Sequence, residues 1–243
     1  MSRRVRIAVA SAALGSFAAL LFWAYTGLPD FGHYRGPYGY VLNRISTRRR
    51  HMANVVNATT YDIRGFDTMG EEFILFGAVV GVVLLLRDDE DEEVEDEVRD
   101  DLLRRGGVLA AGLVFLVGLW IVSFGFVTPG GGFQGGVVLA SALVMLFVAV
   151  GYRSWASVSS QTFVDPFEGL GAGGFVVVGL AALGSGLPFL TNFWGPGITG
   201  TLWSGGSAPL VNWAAGIEVG AALTVLYSEF LEAHVVPVMR GRS

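Results

Sequence analysis

Two apolar runs of membrane-crossing length, 107–127 and 135–152, are joined by Thr128-Pro-Gly-Gly-Gly-Phe-Gln-Gly-Gly136. No helix runs through that joint. Proline has no backbone donor, and three glycines in a row lose too much backbone entropy. The chain turns back there, and irregular backbone at the mouth of a membrane bundle is tolerated only where protein or water covers it. The turn is also geometrically special, because it presents carbonyls and amides at the ends of two helices.

The chain has 243 residues, 52% of them hydrophobic, which is the composition of a membrane protein. Six stretches are read as spans, near Ile7–Leu28, Phe73–Leu86 (with a polar start at Met69), Gly107–Val127, Gly135–Tyr152, Gly169–Leu190 and Leu210–Leu231. About 20 apolar residues cross a hydrocarbon core of about 30 Å. The expected fold is all-α, a polytopic bundle of about six transmembrane helices. Arg3, Arg4 and Arg6 precede the first run, but no A-x-A-like cleavage site follows it, so it reads as an uncleaved anchor.

All sixteen basic residues are arginine, and there is no cysteine. Thiolate and iron–sulfur chemistry are therefore excluded. His33, His51 and His234 are too far apart in sequence to have metal-ligand spacing. Eleven acids and one arginine crowd into Asp88–Asp101; without that net −10, the chain of net −5 carries +5. Like charges in a run repel and stay solvated, so this segment reads as a cytoplasmic linker. It divides residues 1–87, with two spans, from residues 102–243, with four.

An even number of spans puts both termini on one side. With both termini inside, ten arginines fall on the cytoplasmic side and six on the other. The positive-inside rule therefore favours cytoplasmic termini. The cluster Arg44–Arg50 is the misfit; it lies either on a partner subunit or on a surface helix, since Val41, Ile45, Met52 and Val56 fall roughly on one helical face. Trp194, Trp203 and Trp213 suit an interfacial belt. Gly77–Gly81 and Gly216–Gly220 are small-xxx-small spacings, a device for close helix approach, and they point to a multi-subunit complex.

Three constellations carry candidate chemistry. In Asp62-Ile-Arg-Gly-Phe-Asp-Thr-Met-Gly-Glu-Glu72, Asp67 and Glu71 share a helix face if the helix begins early. Thr68-x-x-Glu71 matches a capping box, and the same acids could handle ions, with Arg64 beside Asp62, Asp67 and Glu71 deciding which acid keeps its proton. Glu218 lies inside the last span, where an ionisable group faces either an ion path or an interhelical hydrogen bond. Gly216 and Gly220 are expected near its side of the helix. Glu229 and Glu232, nearer the helix end, read as solvated interfacial acids. The third constellation is the turn, Pro129, Gly130, Gly131, Gly132, Phe133 and Gln134. Its glycines fit G-x-G-x-x-G, but no βαβ unit surrounds them and nucleotide binding is rejected. Gln134 either coordinates a cation or water or bonds a neighbouring helix. Asn57-Ala-Thr59 matches a glycosylation sequon. No nucleophile triad, catalytic acid pair in a soluble cleft or basic nucleic-acid face occurs. The chain therefore reads as a non-enzyme.

Thr128–Ala140, Leu187-Pro-Phe, Trp203-Ser-Gly-Gly206 and Gly216-Ile-Glu-Val-Gly-Ala221 closely resemble the MnhB/MrpB subunit of multisubunit cation/proton antiporters. The segment Asn54–Glu71 resembles the C-terminal tail of the large MrpA subunit, which also occurs as a small separate subunit of related ion-translocating hydrogenases. The resemblance implies a membrane subunit for Na+/H+ exchange in a prokaryotic cell membrane, with MrpA, MrpC, MrpD, MrpE, MrpF and MrpG as partners. It implies no cofactor beyond the transported Na+ and H+. Arg64 and Glu71 match an arginine and a glutamate regarded as functional in the MrpA tail, and Asp67 belongs to the same motif. Pro129 and Phe133 match positions of the MrpB motif. A structural scaffold without its own ion path and a subunit of a redox-driven ion pump are the alternatives.

Overall fold

A computed structural model describes residues 3–28, 36–86 and 100–235. The chain forms two compact units, Met1–Tyr40 and Val41–Ser243. The first holds helix α1 (Arg3–Thr26), apolar over Ser11–Thr26, and the start of α2 (Pro37–Arg48). In the second, α3 (Val55–Ala58) runs into a π-turn (Thr59–Ile63), followed by α4 (Gly65–Leu86), α5 (Asp101–Phe124) and α6 (Gly132–Val150). Then come α7 (Tyr152–Val158), α8 (Gln161–Gly184), α9 (Ala208–Phe230) and a closing π-turn (Leu231–Val235).

The described residues contain helices and no strand, and α4, α5, α6, α8 and α9 are long and apolar enough to cross a membrane. With the shorter apolar stretch of α1, this is the all-α polytopic fold expected.

Helix α9 is the hub. Of its most apolar stretch 61% is buried, against 11% to 28% for the other four helices of spanning length, and it packs on α4, α5, α6 and α8. The outer helices turn large apolar side chains such as Leu84, Leu109, Leu116 and Leu180 outward, as lipid-facing helices do. Small residues bring the hub close to its neighbours. A methyl group added to Gly216 would stand 2.8 Å from Val122 of α5, and one on Gly136 of α6 would stand 2.7 Å from Val219. One on Gly171 of α8 would stand 2.6 Å from the Cα of Glu218. Helices that cross this tightly gain van der Waals contact, which in lipid replaces the hydrophobic drive.

Several boundaries differ from expectation. Helix α4 begins at Gly65, eight residues before Phe73, so the Asp67–Glu72 acids lie inside a helix. The capping box is not formed. Thr68 is buried within α4 and its hydroxyl donates 2.6 Å to the Thr60 carbonyl, closing the helix onto the π-turn. Helix α6 stops at Val150 because Gly151 takes a φ of 91°. Helix α8 starts before Pro166 and ends at Gly184, leaving Leu187-Pro-Phe in a loop.

The surface helix ends at Arg48. Met52 is fully buried against Ala58, Phe126 and Ala208, whereas Val56 is exposed on α3. A methyl group added to Gly77 or Gly81 would meet nothing within 4 Å among the described residues. Most of the acidic segment lies outside the described residues. Its end is helical, with Asp100 accepting from the Leu102 amide at 2.7 Å and Asp101 opening α5.

Gly171→Val would push α8 off α9 at Glu218. Overpacking of this kind costs about 1–3 kcal/mol. Thermal unfolding of the detergent-solubilised protein should show a lowered Tm, and Gly173→Val, with open space around it, should leave Tm nearly unchanged.

Candidate functional site

The Pro–Gly turn is held by asparagines that sequence reading passed over. Gly130 and Gly131 have φ of 143° and 155°, a region that favours glycine. The Asn54 side-chain amide donates to the carbonyls of Gly125 (2.7 Å), Thr128 (3.0 Å) and Gly130 (3.1 Å). Its carbonyl caps α3 by accepting from the amides of Val56 and Asn57, each at 3.1 Å. From the hub helix, Asn212 accepts from the Gly132 amide (2.7 Å) and the Asn57 side chain (2.8 Å), and donates to the Val122 carbonyl (2.5 Å). The Phe133 amide donates to the Tyr61 hydroxyl at 3.2 Å.

The turn's polar backbone is therefore largely engaged by protein and not offered to an ion. Pro129 and Gln134 are exposed and line an open groove with Ala53 to Val56. Asn57 is 1% exposed and bonded on its amide nitrogen, so the sequon is not an accessible acceptor. An asparagine at the start of an apolar helix was the available signal for Asn212, since a lone amide there needs partners.

The charges near α4 sort differently from expectation. Arg64 pairs with Asp67, its neighbour one turn on, and both are exposed. Asp62 pairs instead with Arg50, at 2.8 Å, its side chain 1% exposed. This pair gives part of the Arg44–Arg50 cluster its place. Burial pushes the Asp62 carboxyl above its ordinary value of 3.8, and the Arg50 guanidinium and Asn192 amide pull it back. Burial also raises the Tyr61 phenol. Glu71 lies on the open side of α4 with Asp67.

Inside the bundle the buried carboxyl of α4 is Glu72, the residue after the one singled out from sequence. Glu72 is 2% exposed and Glu218 is fully buried. The two carboxyls are neighbours close enough to interact, and none of their four oxygens has another hydrogen-bond partner among the described residues. Neighbouring carboxylates repel, and a hydrogen bond between them requires a proton. The burial pattern Thr68, Glu72, Val79, with Leu75 and Val83 beside it, is the inward stripe of α4 and could have marked Glu72.

Gly216 and Gly220 turn away from Glu218, towards α5 and α6 respectively, because two residues rotate an α-helix by about 200°. Apolar layers flank the pair. Tyr61, Phe175, Val211, Ala214 and Ala215 lie on the turn side. Val79, Val164, Ala221, Ala222 and Val225 lie towards the opposite end. Glu229 is 1% exposed and so not a solvated acid, and half-buried Glu232 accepts from the Tyr152 hydroxyl at 2.9 Å. No group of three or more His, Cys, Asp or Glu side chains suited to a metal occurs among the described residues.

A family profile described as a domain related to the MnhB subunit of Na+/H+ antiporter matches residues 102–225. The chain belongs to this MnhB-related family. It is a membrane subunit of a cation/proton-antiporter-like complex. An uncharacterized protein of Methanocaldococcus jannaschii is 30% identical over 75% of this chain and 79% of its own length. One subunit of the Bacillus subtilis Na(+)/H(+) antiporter is 29% identical over 42% of this chain and 70% of its own.

Among solved structures, a chain of the membrane-bound sulfane sulfur reductase, an archaeal respiratory membrane complex, superposes with a TM-score of 0.76. It is 28% identical, covering 91% of this chain and 97% of that one. A chain of the Mrp complex from a Dietzia species gives a TM-score of 0.70 at 21% identity. The match covers 96% of this MnhB-related chain and 26% of that chain, which therefore shares the fold within a far longer polypeptide.

Asn212→Ala would strip buried partners from Gly132, Asn57 and Val122. Each buried group left unpaired costs about 1–3 kcal/mol. The expected result is a lowered Tm and faster hydrogen exchange at the Gly132 amide.

Asp62 supplies a pH dependence. Its raised folded-state value means that the native state holds the proton more tightly than the unfolded chain. That contribution is full below the ordinary value of 3.8 and is lost as pH rises through the folded-state value. Asp62→Asn should flatten the stability profile over that window in pH-dependent unfolding measurements.

Proposed function

We propose that the Glu72–Glu218 pair is a site where one proton and one monovalent cation compete, and that this competition is the chain's part in Na+/H+ exchange. The carrying observation is the enclosure of two neighbouring carboxyls between apolar layers at the hub of the bundle. An isolated charge at such depth costs about 3 kcal/mol or more.

Sharing one proton, the pair bears a net charge of −1. When Na+ enters between two carboxylates, the shared proton leaves to water and the net charge remains −1. One cation bound and one proton released is the elementary act of antiport, and neither state burdens the site with a second uncompensated charge. No covalent bond is made or broken, so the chain acts as a carrier subunit and not as an enzyme.

In this reading Asp67 and Glu71, on the open side of α4, line the cation approach. Arg64 biases that approach through its pairing with Asp67. The turn from Pro129 to Gln134 sets the position of α6 against α9. The open face around Gly77 and Gly81 receives a helix of a partner subunit, with MrpA, MrpC, MrpD, MrpE, MrpF and MrpG as the candidate set. Residues 1–87 and 102–243 act as two family modules joined through the acidic segment 88–101. That segment and both termini belong on the cytoplasmic side of a prokaryotic cell membrane.

The superposition on a chain of a respiratory complex favours a second reading, in which the same pair serves a redox-driven ion pump. The chains that co-purify in mild detergent separate the two readings. Antiporter subunits alone support exchange, and redox subunits support the pump.

Glu72→Gln and Glu218→Gln should each abolish cation-driven proton flux in membrane vesicles while the complex still assembles. Flux at the wild-type rate from an assembled complex carrying either substitution would mean that the pair is only a structural contact and the chain a scaffold. Glu71→Gln, which leaves the pair intact, should reduce flux less than either.

A further inference from the structure

Glu229 lies eleven residues beyond Glu218 on α9, about 20° round the helix and about 16 Å along it. The two carboxyls thus lie on one stripe of the hub helix, one mid-bundle and one near its end, and both are buried. Helix α8 runs antiparallel against this stripe. Gly171 abuts Glu218, and Glu168, one turn towards the same end, is 7% exposed.

Between Glu218 and Glu229 the apolar layer of Val79, Val164, Ala221, Ala222 and Val225 fills the seam. Beyond it the chemistry changes. The Ser228 hydroxyl and the Trp155 indole nitrogen are buried without a partner among the described residues. Trp155 packs on Tyr152, with ring centroids 6.1 Å apart, and Tyr152 bonds Glu232. Buried polar groups of this kind are normally satisfied by ordered water.

We propose that Glu229 is the carboxylate that relays protons between water at this end of the bundle and the Glu72–Glu218 pair, across a layer that only a transient file of water can bridge. This rests on the reading of the pair as the exchange site. Glu229 takes a proton from water, the proton hops along the file onto the pair, and Glu229 returns to the carboxylate, so nothing is consumed. A cation does not follow, because it would have to shed its hydration among valine and alanine side chains. The layer thus separates a proton route from the cation route.

The test uses the assembled complex in vesicles. Glu229→Gln should slow cation-driven proton flux by about tenfold or more while equilibrium binding of radioactive Na+ is unchanged. Val225→Thr, which places a hydroxyl in the layer, should raise flux severalfold, and should raise it little in the Glu229→Gln background. Wild-type flux in Glu229→Gln overturns the relay, and loss of Na+ binding together with flux makes Glu229 a structural residue and overturns it too. Should Glu229→Gln fail to assemble, Val225→Thr decides alone, and unchanged flux overturns the proposal. Failure of the pair itself is seen separately, as full activity in Glu72→Gln and Glu218→Gln.

Discussion

The close approach of α8 to α9 at Gly171 is the constraint on which the centre of this molecule depends. With no side chain at that position, the two backbones meet at Glu218, whose carboxyl is the neighbour of Glu72 on α4. There Glu72 is already turned inward by the stripe that also buries Thr68 and Val79. Two acids are thereby brought together where water is scarce. Removing the close approach would let the hub rotate or separate, and the pair would become two ordinary helix carboxyls.

Backbone satisfaction governs the far end of the bundle. A turn between two membrane helices has amides and carbonyls that helical geometry cannot pair. This chain meets the requirement with three asparagines and a tyrosine drawn from α3, the π-turn and α9. The glycines permit the path of the turn, and the asparagines fix it.

The architecture was legible because apolar run length reports directly on bilayer thickness, and the Pro–Gly interruption marked where α5 ends and α6 begins. Helix starts were less legible. Gly65, Gln161 and Gly132 begin helices outside the apolar windows, since polar residues continue a helix into the interface as readily as apolar ones. Glu218 stood out as one acid in an apolar run. Glu72 did not, because adjacent Glu71 shares its composition and only the register of α4 tells them apart. Glu229 looked interfacial from its place near a helix end, and its burial comes from α9 lying at the centre, which no local window records. The partnership of Asp62 with Arg50 is likewise a product of the fold, since Arg64 is the nearer arginine in sequence.

The stapled turn bears on how such a chain is put together. Asn54 and Asn57 lie before the acidic segment, while the carbonyls and the Asn212 side chain they grip lie after it. Were the two parts made as separate polypeptides, the same bonds would have to form by collision, with the loss of translational freedom that bimolecular association entails. Tethering makes that association intramolecular and raises the local availability of one part to the other. Continuity of the polypeptide thus turns an assembly step into a folding step and ties the supply of one half to the other in equal number.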